Sequence, residues 1–328
     1  MYFKNIVGHE DIIKHFRSSI EMNKISHAYI INGEVDSGKK LLTKAFVAAL
    51  QCEEAGLEAC GTCKSCLKLA SGNHPDVTVV THEKPNVISV EEIREKVVEP
   101  IYTKPYESKY KIYVIPEAHL MNVQAQNALL KTIEEPPEYG IIILLTSNLS
   151  RMLETVLSRC IVLNTKPIRE RDMLEHLVKS LGLTEEKAYF CLDFAQGNLG
   201  KAIKLATNSE YVQVIDSVVG VLKKIQDMDV DDLASALEQI QRFKMSINDY
   251  MDLMMMWYRD VLMLKVTGNI DKLLFKGEYS TMKKQAQVHS YKAIEDKIDA
   301  IARAKQRLDV NANFDVTMEL LLLTLKEI

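Results

Sequence analysis

The stretch Gly33-Glu34-Val35-Asp36-Ser37-Gly38-Lys39-Lys40 has the spacing of a loop that cradles nucleotide phosphates. Its eighth position departs from that chemistry. Ser or Thr there supplies the hydroxyl that binds Mg²⁺, whereas Lys40 offers no oxygen and adds a cation that repels the metal. A second defect falls on the same ion. Lys111-Ile112-Tyr113-Val114-Ile115-Pro116-Glu117 reads as an apolar strand, and an Asp-Glu pair at its end would hold Mg²⁺ and orient water. Pro116 occupies the aspartate position and leaves Glu117 alone. The two losses together predict a degenerate nucleotide site without efficient hydrolysis. The bland alternative is a glycine turn followed by two solvated lysines.

Cys52, Cys60, Cys63 and Cys66 are spaced C-x7-C-x2-C-x2-C. Thiolates this close turn onto a single ion, and four of them complete a closed tetrahedral site with no position left for substrate. Gly56 and Gly61 allow the tight turning. Structural Zn²⁺ is therefore expected at 52–66, with disulfides the weaker alternative in a cytosolic chain. Cys160 and Cys191 stand apart in sequence and read as small buried apolar residues.

The elements around these motifs follow from apolar runs and punctuation. Short runs at Ala28–Ile31, Val77–Val80, Lys111–Ile115, Ile141–Leu145 and Ile161–Leu163 alternate with helix-like segments such as Leu41–Leu50 and Gln124–Ile133. Strands alternating with helices imply a parallel sheet covered on both faces, with the glycine-rich loop between its first strand and the next helix. All eight prolines fall between Pro75 and Pro167, so the remainder is expected to be helical. Tyr250, Leu253, Met254, Trp257, Val261 and Leu264 form one apolar stripe. It faces either an internal core or a partner. Met245, Met251, Met254, Met255, Met256 and Met263 would make such a surface adaptable.

Composition excludes several classes. The chain has 328 residues, enough for two or three domains, with 47% hydrophobic and 26% charged residues. A formal charge of -4 argues against a protein that grips DNA alone. No apolar run approaches the ~18 residues of a membrane span, and the opening residues carry no signal-peptide pattern, so a cytoplasmic protein is expected.

Val123-Gln124-Ala125-Gln126-Asn127-Ala128-Leu129-Leu130-Lys131-Thr132-Ile133-Glu134-Glu135-Pro136-Pro137 resembles the signature of the bacterial sliding-clamp loader, an AAA+ family. Thr155-Val156-Leu157-Ser158-Arg159-Cys160, Ile6-Val7-Gly8-His9 and Ser26-His27-Ala28-Tyr29 are similar to the same family. The likeness is dense from Phe3 to about Pro167. It implies an α/β P-loop-type domain with a Cys₄ zinc module over 1–166, a small helical lid over 167–207 and a helical collar for oligomerisation over 208–328. Asn311-Ala312-Asn313-Phe314, followed by Met318–Leu325, resembles the closing collar helix. A Gly-Ser-x-Arg motif in the family's lid places an arginine on the nucleotide. Here Gly197-Asn198-Leu199-Gly200-Lys201 has Gly200 at that position, and Lys201, roughly 100° further round a helix, should point elsewhere, so the stretch reads as a helix start with Asn198 near its N-cap. Ser147 falls where the family has a nucleotide-sensing hydroxyl and reads here as a strand-end cap.

These departures resemble a non-motor subunit. Arg159 would act in trans as an arginine finger on a neighbour's γ-phosphate, with Ser158 and Cys160 as supports for its loop. The bland alternative is a surface salt bridge or a cap on the strand beginning at Ile161. The implied partners are the loader's ATPase subunit and its delta subunit, with the sliding clamp and primer-template DNA reached through the complex. ATP would not be used by this chain. It would catalyse nothing alone, and a polymerase or nucleotidyltransferase label would belong to the holoenzyme, because no carboxylate pair is placed for two-metal chemistry. An active ring ATPase is the alternative. A zinc-dependent nucleic-acid module is disfavoured by the acidic balance and by the lack of basic and aromatic residues interleaved around Cys60–Cys66.

Overall fold

The computed structural model of the chain describes residues 2–54, 56–82, 86–309 and 312–327. Two compact units divide it, Met1–Ile203 and Lys204–Ile328. The first is built on β1 (Ala28–Asn32), β2 (Val77–Val79), β3 (Lys111–Ile115), β4 (Gly140–Thr146) and β5 (Ile161–Asn164), in the spatial order β2-β3-β4-β1-β5. Every pairing is parallel, with Ile30 opposite both Leu144 and Val162. Around the sheet lie α1 (Glu10–Glu21), α2 (Lys39–Gln51), α3 (Lys64–Ala70), α4 (Val90–Ile93), α5 (Val123–Glu134) and α6 (Glu154–Leu157). They are followed by α7 (Glu170–Lys179), α8 (Glu185–Ala195) and α9 (Leu199–Thr207). The expected mixed α/β fold with a parallel sheet is present.

Alternation along the strands sorts residues into two cores. Tyr29, Ile31, Ile112, Val114, Ile141 and Ile143 pack with Phe16 of α1 and with Leu42 and Phe46 of α2. Phe16 and Phe46 stack with ring centroids 4.0 Å apart. Ile30, Tyr113, Ile115, Ile142 and Leu144 face the other way, onto Ala125, Leu129 and Ile133 of α5. Both faces are covered, which explains why β3 and β4 read as unbroken apolar runs. Because the strands are parallel, the residues that follow β1, β3, β4 and β5 gather at one end of the sheet, where α/β folds place their ligands.

The second unit is helical, with α10 (Ser209–Lys224), α11 (Val230–Gln241), α12 (Ile247–Thr267), α13 (Tyr279–Val288), α14 (Tyr291–Asp309) and α15 (Phe314–Glu327). The stripe from Tyr250 to Leu264 lies inside it, since all six of its residues are buried. Trp257 is anchored by its indole N–H, which donates to Gln285 Oε1 at 2.8 Å. Met251 and Met254 are buried, which removes them from the expected adaptable methionine surface, whereas Met255, Met256 and Met263 are partly exposed. Met245 is 94% exposed. Asn311 lies outside the described residues, while Phe314, Met318, Leu321, Leu322 and Leu325 form the buried side of α15. Among the described residues no helix is long and apolar enough to cross a membrane.

Candidate functional site

The loop after β1 has the backbone of a phosphate cradle, but its own groups fill it. Gly38 begins α2 at φ +88°, and a Cβ at Gly33 would lie 1.7 Å from Thr165 Oγ1. Those two glycines are required by geometry. Lys39 does not project outward. Its ammonium donates to Gly33 O at 2.6 Å and to Glu34 O. Burial pushes its pKa down to about 8, opposed by Asp36 and Glu34 and reinforced by the neighbouring Lys40. Ser37 accepts a hydrogen bond from Thr165 Oγ1 at 3.1 Å, which ties the loop to the end of β5.

The start of α9 closes over the same loop. Asn198 Nδ2 donates to Val35 O at 2.9 Å and to Glu34 Oε2 at 3.3 Å, while its Oδ1 caps the helix by accepting from Lys201 N. Asn198 is therefore more than the helix start read from the sequence. Lys201 also departs from expectation, because its long stem returns the ammonium to 3.7 Å from Glu34 Oε2. A Cβ on Gly200 would lie 2.2 Å from Asp36 O and 2.8 Å from Asp36 Cβ. No side chain fits there while the helix rests on the loop. His9, which the sequence marked only as part of a family-like stretch, is buried against Gly38, and neither ring nitrogen has a hydrogen-bond partner among the described residues. Burial lowers its pKa, partly opposed by the backbone of Ser37 and the charge of Glu10.

At the end of β3, Glu117 takes a left-handed conformation at φ +51°, and its carboxylate lies 3.3 Å from His82 Nε2. Pro116 precedes it without a side-chain oxygen. Ser147, just past β4, lies 3.4 Å from His119 Nε2. The loop and strand ends thus converge, but the hydroxyl and the aspartate that would hold Mg²⁺ are absent from their positions at Lys40 and Pro116.

Arg159 follows α6 and lies beside the C-terminal end of α5. Its Nε is 2.8 Å from Glu134 Oε1, and its Nη1 donates to Thr155 O at 2.9 Å and to Ser158 Oγ at 3.2 Å. The side chain is 39% exposed. The surface ion pair weighed from the sequence is therefore real. Cys160 is partly buried at the margin of the core, and burial pushes its thiol up to about 12.

The four cysteines converge as their spacing predicts. Their sulfurs lie within 4.8 Å of one another, close to the ~3.8 Å separation that tetrahedral Zn–S bonds of ~2.3 Å impose. Backbone N–H groups point at them: Cys63 N and Thr62 N donate to Cys60 Sγ at 3.3 and 3.5 Å, Cys66 N to Cys63 Sγ at 3.4 Å, and Cys60 N to Cys52 Sγ at 3.3 Å. These donors lower the Cys60 thiol to about 6, whereas burial raises Cys66 to about 12 and also raises Cys52. All four are free thiols. A soft divalent cation fits the donor set, and its charge would offset the burial that opposes ionisation of Cys52 and Cys66.

Residues not singled out in the sequence fasten this module. Glu58 accepts from Phe3 N at 2.9 Å and pairs with Arg17, while Tyr2 donates to Cys60 O at 3.3 Å. On the other side Ser65 meets His74 Nε2 at 3.0 Å. The neighbouring Asp76 does not turn that contact into a nucleophile triad. His74 Nδ1 accepts from Asp76 N, so Nε2 carries the proton and donates to Ser65 and Ser108. Asp76 spends both carboxylate oxygens on the backbone N–H groups of Tyr106, Glu107 and Ser108.

A family described as "DNA polymerase III, delta subunit" matches residues 8–169. The chain is 30% identical over 324 residues to the DNA polymerase III subunit delta' of Bacillus subtilis, covering 96% of this chain and 95% of that one. It is 27% identical to the tau subunit of the same organism, spanning 58% of that relative, and 26% identical to the gamma subunit of Buchnera aphidicola from Schizaphis graminum, covering 98% of this chain and 94% of that one. A gamma subunit-related protein from Thermotoga maritima aligns over 97% of this chain and 99% of its own, at 17% identity and a TM-score of 0.46.

Proposed function

The chain belongs to the DNA polymerase III clamp-loader subunits, and we propose that within this family it is a delta-prime stator: a subunit that spends no ATP and completes a neighbour's site. Family membership alone does not choose between stator and motor, since delta-prime, tau and gamma relatives all match. The observation that carries the choice is the self-filled loop. Lys39 donates to the loop's own carbonyls, and Gly200 packs on Asp36 where an arginine would have to pass. The missing hydroxyl at Lys40 and the missing carboxylate at Pro116 support the same reading.

On this reading 1–166 is the α/β domain, 167–207 the lid and 208–328 the collar that joins the ATPase and delta subunits. The sliding clamp and primer-template DNA are reached through the assembled, cytoplasmic complex, and polymerase chemistry resides elsewhere in the holoenzyme. Arg159 is the finger offered to a neighbouring ATP, with Ser158 and Cys160 supporting its loop. Cys52, Cys60, Cys63 and Cys66 hold one structural Zn²⁺. An ATP-hydrolysing role is the competing reading, favoured by the retained Lys39 and by the tau and gamma relatives. Measuring ATP turnover by the isolated chain, with and without Mg²⁺, separates the two. The stator gives none, whereas steady turnover abolished by Lys39→Ala contradicts it.

A further inference from the structure

Glu134 is out of place for helix stability. It ends α5, where the aligned peptide dipoles present partial negative charge and disfavour a carboxylate. Glu135 follows immediately and adds a like charge. What compensates Glu134 is Arg159, reached from the turn that follows α6. The guanidinium also donates to Thr155 O, in the last turn of α6. It is thus held between the C-terminal ends of two helices, by a carboxylate on one and a carbonyl on the other. Ser158 Oγ adds a third contact. Among the described residues nothing accepts from Nη2, so the anchored groups are Nε and Nη1, and the Nη2 edge keeps its donors.

We propose that Glu134 is a positioning residue for Arg159, which pre-sets the guanidinium so that its unbonded edge is presented to an anion on a neighbouring subunit. An arginine side chain has several rotatable bonds, and a planar fork held in place loses less freedom when it engages a phosphate than one that must be ordered in the encounter. A geometry fixed in advance accelerates the step that uses it. On this reading Glu134 acts only through Arg159. This inference rests on the trans-acting role assigned to Arg159 above.

The test is a double-mutant cycle in the reconstituted loader, reading clamp- and DNA-stimulated ATP hydrolysis and clamp loading for wild type, Glu134→Ala, Arg159→Ala and the double variant. Glu134→Ala should lower kcat roughly two- to fivefold, the range that a half-exposed ion pair supports, and leave the KM for ATP unchanged. In the Arg159→Ala background it should cost nothing further, because the group it positions is gone. Glu134→Gln keeps the shape and an oxygen without the charge and should fall between wild type and Glu134→Ala. It also serves as the second variant if Glu134→Ala fails to assemble. Normal rates for Glu134→Ala, with Arg159→Ala slow, overturn the positioning role and leave the finger standing. An equal loss from Glu134→Ala in both backgrounds also overturns it, because the effect then bypasses Arg159. Normal rates for Arg159→Ala remove the finger reading itself.

Discussion

Replacing Gly200 by alanine is the sharpest structural test of the closed loop. Intrinsic propensity favours the change, by up to ~1 kcal/mol in a helix. Packing opposes it. The new Cβ would lie 2.2 Å from Asp36 O, a backbone atom held in a loop that Lys39, Asn198 and Thr165 all tie down. Restoring an ordinary carbon–oxygen contact requires α9 to withdraw by about 1 Å. That movement stretches the 2.9 Å bond from Asn198 Nδ2 to Val35 O beyond hydrogen-bonding range. A lost hydrogen bond of ~1 kcal/mol and ~1–3 kcal/mol of overpacking outweigh the propensity gain, leaving a net cost of about 1–3 kcal/mol. The only tryptophan, Trp257, lies in the second unit, so its fluorescence would miss the effect. Hydrogen exchange of the amides in 33–38 and 198–203 reads it directly, and should quicken about 5- to 150-fold as the contact opens locally. Unchanged or slower exchange in Gly200→Ala would refute the packing argument. Gly200→Arg should likewise give no gain in ATP binding, despite restoring the arginine of the family's lid motif.

Two further outcomes follow from buried groups. Protein purified without chelators should contain one Zn²⁺ per chain, and Cys63→Ser should lose it and loosen 52–66 together with the Tyr2, Phe3 and Arg17 contacts, as measured by elemental analysis and hydrogen exchange. Full metal content in Cys63→Ser would contradict the ligand set. Lys297 is fully buried in the second unit with its ammonium on Leu325 O, and burial lowers its pKa from 10.5 to about 8. Between those values the unfolded chain binds more protons, so this group's destabilising effect is full below pH 8 and fades as pH rises toward 10.5. The stability advantage of Lys297→Met over wild type should therefore shrink by about 2 kcal/mol between pH 7.5 and 9.5 in urea titrations. A pH-independent difference would show that the lysine is not depressed.

Much of the first unit could be read from the sequence because its signals are local. Each of the five apolar runs became a strand, displaced by no more than one residue at either end, and the central three, β1, β3 and β4, are buried and leave no polar face to blur the pattern. The cysteine spacing likewise encodes its own geometry. What escaped depends on contacts between distant segments. His9 carried only a family likeness in the sequence, and its burial against Gly38 became visible with the fold. Asn198 read only as a helix cap, although its other amide atom reaches the loop more than 160 residues earlier. Gly200 marked a missing arginine in the sequence, and only its approach to Asp36 explains why no side chain stands there. Lys201 was expected to point away from the loop because helical angle was considered without the reach of a four-carbon stem. Periodicity placed Met251 and Met254 on the same helix as the apolar stripe but could not tell core from interface, and the structure assigns them to the core.

Two single substitutions compared in one reconstituted clamp loader address the stator reading most directly. Lys39→Ala removes the ammonium that this chain keeps for its own carbonyls, and Arg159→Ala removes the cation offered to a neighbour. If the chain is a stator, the Lys39→Ala complex loads clamps and hydrolyses ATP at the wild-type rate, while the Arg159→Ala complex assembles normally and does both more slowly. A Lys39→Ala complex that slows while Arg159→Ala keeps the wild-type rate would make this chain a motor and contradict the assignment.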